Sequence, residues 1–289
     1  MKVAKLVKSG LSSNQLKWIA IIFMTIDHVG ASSFNIPILA DYIWILRLLG
    51  RIAAPLFLFT IVESCKYTRS KPKFILRLYI AGVSVGLFTT LTNFFLGDSV
   101  GYFLPGNIIF TFFYTVVYIF IIENALKAIK EKNYKQFAIF ILLMIASYIP
   151  HIIFQWFHSF QFTELQLREY FLVQGLFNSF MPNPFYLEYS LIFVLLGVAM
   201  YFSKQKIAQC IVYTLFCILS FFGLSFVQQY NLSQYTDYFG YPQYWMILAL
   251  PFMLFYNGKH GKAQKLFFYV YYPVHRYVIN VIMTLLILL

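Results

Sequence analysis

Apolar runs of about twenty residues recur along the whole chain, each bounded by a short polar stretch. This period predicts membrane-crossing helices, because about 20 apolar residues rising 1.5 Å each cross the roughly 30 Å hydrocarbon core of a bilayer. The runs fall at about 16–33, 42–65, 74–96, 105–126, 136–157, 185–203, 207–228, 243–257 and 265–288. They are too long, and too uniformly apolar, for the alternating ten-residue strands of an outer-membrane barrel. The expected fold is therefore all-α: a polytopic integral membrane bundle of about nine, or ten, transmembrane helices forming a single domain over 1–289. The stretch 158–184 is long for a connection, yet Leu165, Leu167, Tyr170, Phe171, Leu172, Leu176, Phe177 and Phe180 make it apolar. It reads as an external helix, interfacial or re-entrant, ended by Met181-Pro182-Asn183-Pro184.

The polar breaks carry the orientation. Lys66, Arg69, Lys71 and Lys73 occupy one break, Lys127, Lys130, Lys132 and Lys135 another, Lys204 and Lys206 a third, and Lys259, Lys262 and Lys265 a fourth. The breaks between them carry Asp41, Asp98, Glu164 with Arg168 and Glu169, and Asp237. Cations cluster in cytoplasmic loops, so the N-terminus is expected inside and, with nine spans, the C-terminus outside.

Composition agrees with the pattern. Of 289 residues, 61% are hydrophobic and only 11% charged, against about 25% charged in a soluble domain. The net charge of +12 lies in short runs between apolar segments, which suits topology signals and not a nucleic-acid surface. Cys65, Cys210 and Cys217 lie in or beside apolar segments with no paired or metal-ligand spacing, so neither a disulfide framework nor a metal site is expected. Lys2, Lys5 and Lys8 before the first apolar run give it some likeness to a signal peptide, but Asp27-His28 inside the run argues for a retained span.

That first run is the one with candidate chemistry. Ser12-Ser13-Asn14 supplies N-cap residues, and Lys17 and His28 stand eleven residues apart. Eleven steps are three turns plus about 20°, so the two side chains share a face about 16 Å apart along the axis. A buried histidine at that depth must face protein or a water-filled cavity. Arg47 and Arg51, four apart on the next helix, are placed to pair with Asp27, either as a structural staple or as part of a site. Glu63, Arg77 and Glu123 lie near inner helix ends and fit snorkelling, and Glu188 lies near an outer end. In the last run Pro273 is expected to kink the helix and free a carbonyl beside Tyr272, His275 and Arg276. His275 reads either as a packed histidine at that kink or as a second site histidine.

Several of these stretches together resemble the TraX family. They are Leu16-Lys17-x-Ile19-Ala20-x-x-x-Met24-Thr25-x-Asp27-His28-Val29-Gly30, Leu49-Gly50-Arg51-Ile52-Ala53-x-Pro55-Leu56-Phe57-x-Phe59, Thr68-Arg69, Arg77-Leu78, Asn257-Gly258 and Phe268-Tyr269-x-Tyr271-Tyr272-Pro273-x-His275. At one position, Arg276, the family pattern has a leucine. TraX-like proteins are associated with N-terminal acetylation of conjugative pilin. The Lys17-x10-His28 arrangement also resembles the Arg/Lys-x10-His feature of a wider superfamily of membrane acyltransferases, which includes the acyltransferase-three proteins and heparan-glucosaminide N-acetyltransferase.

The resemblance implies an acetyltransferase in the bacterial inner membrane, moving an acyl group from cytoplasmic acetyl-CoA to an extracytoplasmic peptide or glycan acceptor. It implies His28 as the catalytic residue, with Asp27 or a neighbour orienting its ring. Lys17, Lys66, Arg69, Lys73 and Arg77 lie where acyl-CoA phosphates would be held. Arg47, Arg51, Glu63, Tyr272, His275 and Arg276 are candidates for the cavity and the acceptor. Buried Asp, His and Arg side chains are equally expected in a proton-coupled small-molecule transporter, which is the competing reading, and a non-catalytic assembly factor is a third.

Overall fold

A computed structural model describes residues 10–33, 36–100, 106–159, 167–229, 243–261 and 265–288. Of the residues read above, Lys2, Lys5, Lys8, Glu164, Asp237, Lys262 and positions 160–166 of the 158–184 segment lie outside these. The described residues contain helices and one isolated β-bridge, between Leu11 and Tyr256. Helix occupies each of the nine apolar runs. Five stretches, Ile43–Tyr67, Lys71–Gly97, Ile108–Lys130, Tyr134–Phe157 and Lys206–Gly223, are long and apolar enough to cross a membrane, which marks a membrane protein. The chain divides into two compact units, residues 1–63 with 199–289, and residues 64–198.

In the first unit, helix α1 (Ser13–Ser32) opens on a capping box. The Gln15 amide donates to Ser12 Oγ while the Ser12 amide donates to Gln15 Oε1. Two further amides of its first turn are satisfied across the chain, Ser13 by the Lys259 carbonyl and Asn14 by that of His260. Twenty residues make α1 long enough to span, but Lys17, Asp27 and His28 lower its mean hydropathy, and it is not among the five.

The short helix α2 (Pro37–Ala40) leads into α3 (Ile43–Gly50) and α4 (Ala53–Tyr67). Sequence predicts one helix over 42–65, whereas the structure breaks it at Arg51-Ile52. Pro55 explains the break: it has no amide to give, and its ring crowds the carbonyl four residues earlier, that of Arg51. At the break the chain tightens, with the Arg51 amide bonded to Leu48 O and that of Ile52 to Leu49 O.

In the second unit, α5 (Lys71–Val100) and α6 (Ile108–Lys130) form an antiparallel pair. Lys71 bonds Glu123 at one end, and Asn107 Nδ2 donates to Gly82 O at the other. The predicted run 136–157 is again two helices, α7 (Tyr134–Ala146) and α8 (Ile149–His158), with Pro150 just past the break. Of the 158–184 segment, the described helix is α9 (Leu167–Phe180). It lies lengthwise and antiparallel along α5, with Ser179 against Gly86 and Thr90 against Gly175. The first of these sits next to Tyr79, whose hydroxyl donates to Phe180 O.

Helices α10 (Ser190–Phe202), α11 (Lys206–Gln229), α12 (Leu250–Leu254) and α13 (Lys265–Leu288) complete the chain. In the first unit α11 packs on a 3₁₀ turn, Gln243–Ala249, and on α12. Lys206 Nζ caps the latter, donating to Leu254 O and Tyr256 O. Helix α13 runs through Pro273 without interruption and packs along α1.

Candidate functional site

The α1/α13 seam is marked by a series of contacts that advance together along both helices. Lys17 Nζ lies 5.9 Å from the centre of the Phe268 ring. Thr25 Oγ1 and Tyr271 OH are 2.7 Å apart, His28 Nδ1 and His275 Nε2 are 2.6 Å apart, and Ser32 Oγ donates to Asn280 Oδ1. Below them Val29 packs on the buried cluster of Ile36, Ile279 and Met283. Residue number rises together on both helices, so the two are parallel. Lys17 and His28 both face α13, as their eleven-residue spacing requires.

The histidine pair is the polar centre of the seam. His275 is 5% exposed and its Nδ1 lies 2.8 Å from the Tyr271 carbonyl, one turn back on its own helix. Three rings form a column, Phe267 on Tyr271 at 5.4 Å and Tyr271 on His275 at 4.9 Å and only 3° from parallel, and the His28 ring lies edge to edge with that of His275, centres 4.8 Å apart. Tyr272, also buried, sets its ring 5.9 Å from that of His275. These contacts fix the His275 ring on one face, through Tyr271, and at both nitrogens.

Asp27 faces the other way. Its Oδ2 accepts from Arg47 Nη1 at 2.7 Å and its Oδ1 from Arg51 Nη2 at 3.3 Å. The three side chains are 13%, 17% and 3% exposed for Asp27, Arg47 and Arg51, and Arg51 Nε also donates to Arg47 O. The pairing expected from the four-residue spacing of the two arginines is thus present. The neighbour hydrogen-bonded to the His28 imidazole is His275, while Asp27 is engaged by the guanidinium groups. Arg47, Arg51 and Arg276 lie within electrostatic reach of His28.

Glu63 departs from expectation. It does not snorkel: it is 6% exposed and accepts a 3.2 Å bond from Nε2 of Gln209, which is fully buried. The reason is that α4 is covered at this level by α11 instead of facing open surface. Glu123 pairs with Lys71, while Arg77 is exposed, stacking on Phe74 and donating to Lys73 O. Lys66, Arg69, Lys73 and Arg77 belong to the second unit, around the α4–α5 turn; Arg69 and Lys73 are exposed and Lys66 half-buried. Among the described residues no cluster of three or more His, Cys, Asp or Glu side chains could hold a metal ion.

Two parts of the site are missing from the sequence reading. Tyr271 and Thr25 were assigned no role, although each stands one turn before a site histidine, at the spacing that puts both on one face. Gly50 is the other: a Cβ there would lie 2.1 Å from Asp27 Oδ1, so only glycine lets α3 come close enough for its arginines to reach the carboxylate.

Residues 12–163, more than half of the chain, match the family model described as TraX, TraX protein. The match takes in α1, with Lys17, Asp27 and His28, Arg47 of α3, and Arg51 at the α3–α4 break. It stops short of α13. No curated protein and no solved structure matches the chain.

Proposed function

This chain belongs to the TraX family, and from that premise we propose that it is a membrane-embedded acyltransferase carrying an acetyl group from acyl-CoA to an amine or hydroxyl presented on the far side of the membrane. The observation that carries the reading is the His28 imidazole, paired with a second histidine in the α1/α13 seam, on the same face as Lys17 and about 16 Å further along the helix. That distance suits a donor whose anionic head stays at one membrane face while its thin pantetheine arm carries the thioester inward. Lys17 holds the phosphates from α1.

In the reaction His28 takes the proton of the acceptor amine or hydroxyl as its nitrogen or oxygen attacks the thioester carbonyl. The C–S bond breaks, the acyl group leaves on the acceptor, and His28 returns the proton to the CoA sulfur. Arg47 and Arg51, held by Asp27, stand by the same helix turn and supply positive potential for the oxyanion or for an acceptor anion.

The membrane arrangement that fits this route has nine crossings, the N-terminus and the acyl-CoA mouth in the cytoplasm and the C-terminus outside, in a bacterial inner membrane. Parallel packing of α1 and α13 supports it, because two helices crossing in the same direction require an odd number of crossings from the first of them to the second.

The test is acetyl transfer in purified protein reconstituted into lipid nanodiscs, with labelled acetyl-CoA and a panel of peptide and glycan acceptors. Acceptor-dependent CoA release that His28→Ala abolishes in folded protein is the expected result. Full transfer by that variant, or solute accumulation in proteoliposomes without acyl-CoA, would overturn the reading.

A further inference from the structure

The hydrogen bonds around His275 determine which nitrogen of His28 is free. The Tyr271 carbonyl can only accept, so His275 Nδ1, 2.8 Å away, carries a proton. With Nδ1 protonated, a neutral His275 has a lone pair on Nε2. That nitrogen lies 2.6 Å from His28 Nδ1, and a bond this short needs one proton between the two. Supplying it from His275 would make that ring an imidazolium, buried in the bundle and next in sequence to Arg276. Supplying it from His28 leaves both rings neutral. His28 therefore donates through Nδ1, and its Nε2 is left with the lone pair.

We infer that His275 is a positioning residue: its Nε2 accepts from His28 Nδ1, holding His28 in the tautomer whose Nε2 faces the reacting groups as base. This rests on the acyltransferase reading for its consequence in catalysis, though not for the tautomer itself. The arrangement follows the logic of a nucleophile's base oriented by a third group, with an imidazole in the place a carboxylate often takes. When His28 Nε2 takes the acceptor's proton, the Nδ1 proton shifts toward His275 Nε2. The positive charge is then shared by two rings, and the Tyr271 carbonyl stabilises the distal one through the bond it already makes. The proton moves back as His28 Nε2 protonates the leaving CoA sulfur, so no net proton is gained or lost. Tyr271 is held for this work at its other end. Thr25 Oγ1 donates to Ile21 O at 2.9 Å, so in the 2.7 Å contact between the hydroxyls it is Tyr271 that donates to Thr25.

Three substitutions at position 275 separate the role from mere packing. His275→Gln places a carbonyl oxygen near the position of Nε2 and keeps an acceptor for His28. His275→Asn places its amide nearer the position of Nδ1 and removes that acceptor. His275→Phe keeps the stacked ring and has no nitrogen. The expected order in kcat is wild type, then Gln within about tenfold, with Asn and Phe lower by about 100-fold or more, while KM for acetyl-CoA stays within about twofold. Equal losses in Gln and Asn, or full activity in Phe, would overturn the proposal.

The tautomer is read independently by ¹⁵N solid-state NMR of histidine-labelled protein in bilayers, with His28 assigned by its loss in His28→Ala. Protonated Nδ1 and unprotonated Nε2 are expected in the wild type, and a shift of the proton toward Nε2 in His275→Phe. A wild-type His28 protonated at Nε2 would refute the inference. Failure of the wild type to transfer acetyl groups would refute the acyltransferase reading alone, because the NMR measurement needs no turnover.

Discussion

Gly50 lies against Asp27 so closely that a methyl group on it would fall 2.1 Å from one carboxylate oxygen and 2.2 Å from the Asp27 Cβ. Both positions are set by helix backbone, so neither can retreat alone. Gly50→Ala is therefore expected to separate α1 from α3, loosen the two arginine bonds and cost about 1–3 kcal/mol as an overpacked contact. Gly223→Ala is the control, since nothing lies within 4 Å of its Cβ position, and it should change stability by no more than about 1 kcal/mol. Thermal unfolding of both variants in nanodiscs checks this. Equal stability of the two would show that the helices have room to spare.

A carboxylate shared by one buried and one half-buried guanidinium is costly to remove, because the cations remain. Asp27→Asn leaves Arg47 and Arg51 facing each other at low exposure and is expected to destabilise by about 3–5 kcal/mol. Arg47→Gln should cost less, since Arg51 still neutralises the carboxylate. Denaturation of the two variants ranks them, and an Asp27→Asn protein as stable as Arg47→Gln would mean the pair adds little. Removing one arginine together with the carboxylate, in Asp27→Asn with Arg51→Gln, should recover part of the loss.

Local patterns made most of this legible in the sequence, and long-range neighbours set the limit. Apolar period located the long helical runs, though not the short α2 between the first two, and the eleven- and four-residue spacings placed Lys17 with His28 and Arg47 with Arg51, because helical geometry alone dictates those relations. The Asp27 ion pairs followed because consecutive helices joined by a short connection must pack together. The histidine pair did not follow in the same way: its members are 247 positions apart, and nothing in either helix announces the other as its neighbour. Glu63 was misjudged for the same reason, since its burial depends on Gln209 of α11. Pro55 and Pro150 were present in the text of the chain, but a run of apolar residues reads as one helix until the proline's missing amide is set against a particular carbonyl.

Lys17 is expected to act on donor binding and not on chemistry. Its ammonium lies over the Phe268 ring, about 16 Å along α1 from His28, too far to touch a thioester at the histidine. Lys17→Gln should raise KM for acetyl-CoA by about tenfold, the loss of one charge-assisted phosphate contact, with kcat nearly unchanged. Lys17→Arg should retain donor binding. Steady-state kinetics at two ionic strengths measures this. A fall in kcat at unchanged KM would move Lys17 from the donor mouth to the reacting centre.

The parallel seam between α1 and α13 also constrains how the chain crosses the membrane. Leu11 bridges to Tyr256, and the Asn14 amide bonds the His260 carbonyl, so the chain enters α1 beside the segment that leads into α13. The start of α1 and residues 256–260 therefore lie on one side, and the far end of α13 on the other. Single cysteines read this directly, with little background from Cys65, Cys210 and Cys217, which are free and buried. Lys259 is exposed, and Lys259→Cys is expected to react with a membrane-impermeant maleimide only after the cells are permeabilised. Leu286→Cys, near the other end of α13 and 48% exposed, is expected to react in intact cells. Labelling of both positions from the same side would require α13 to turn back within the membrane, and the odd number of crossings would fall with it.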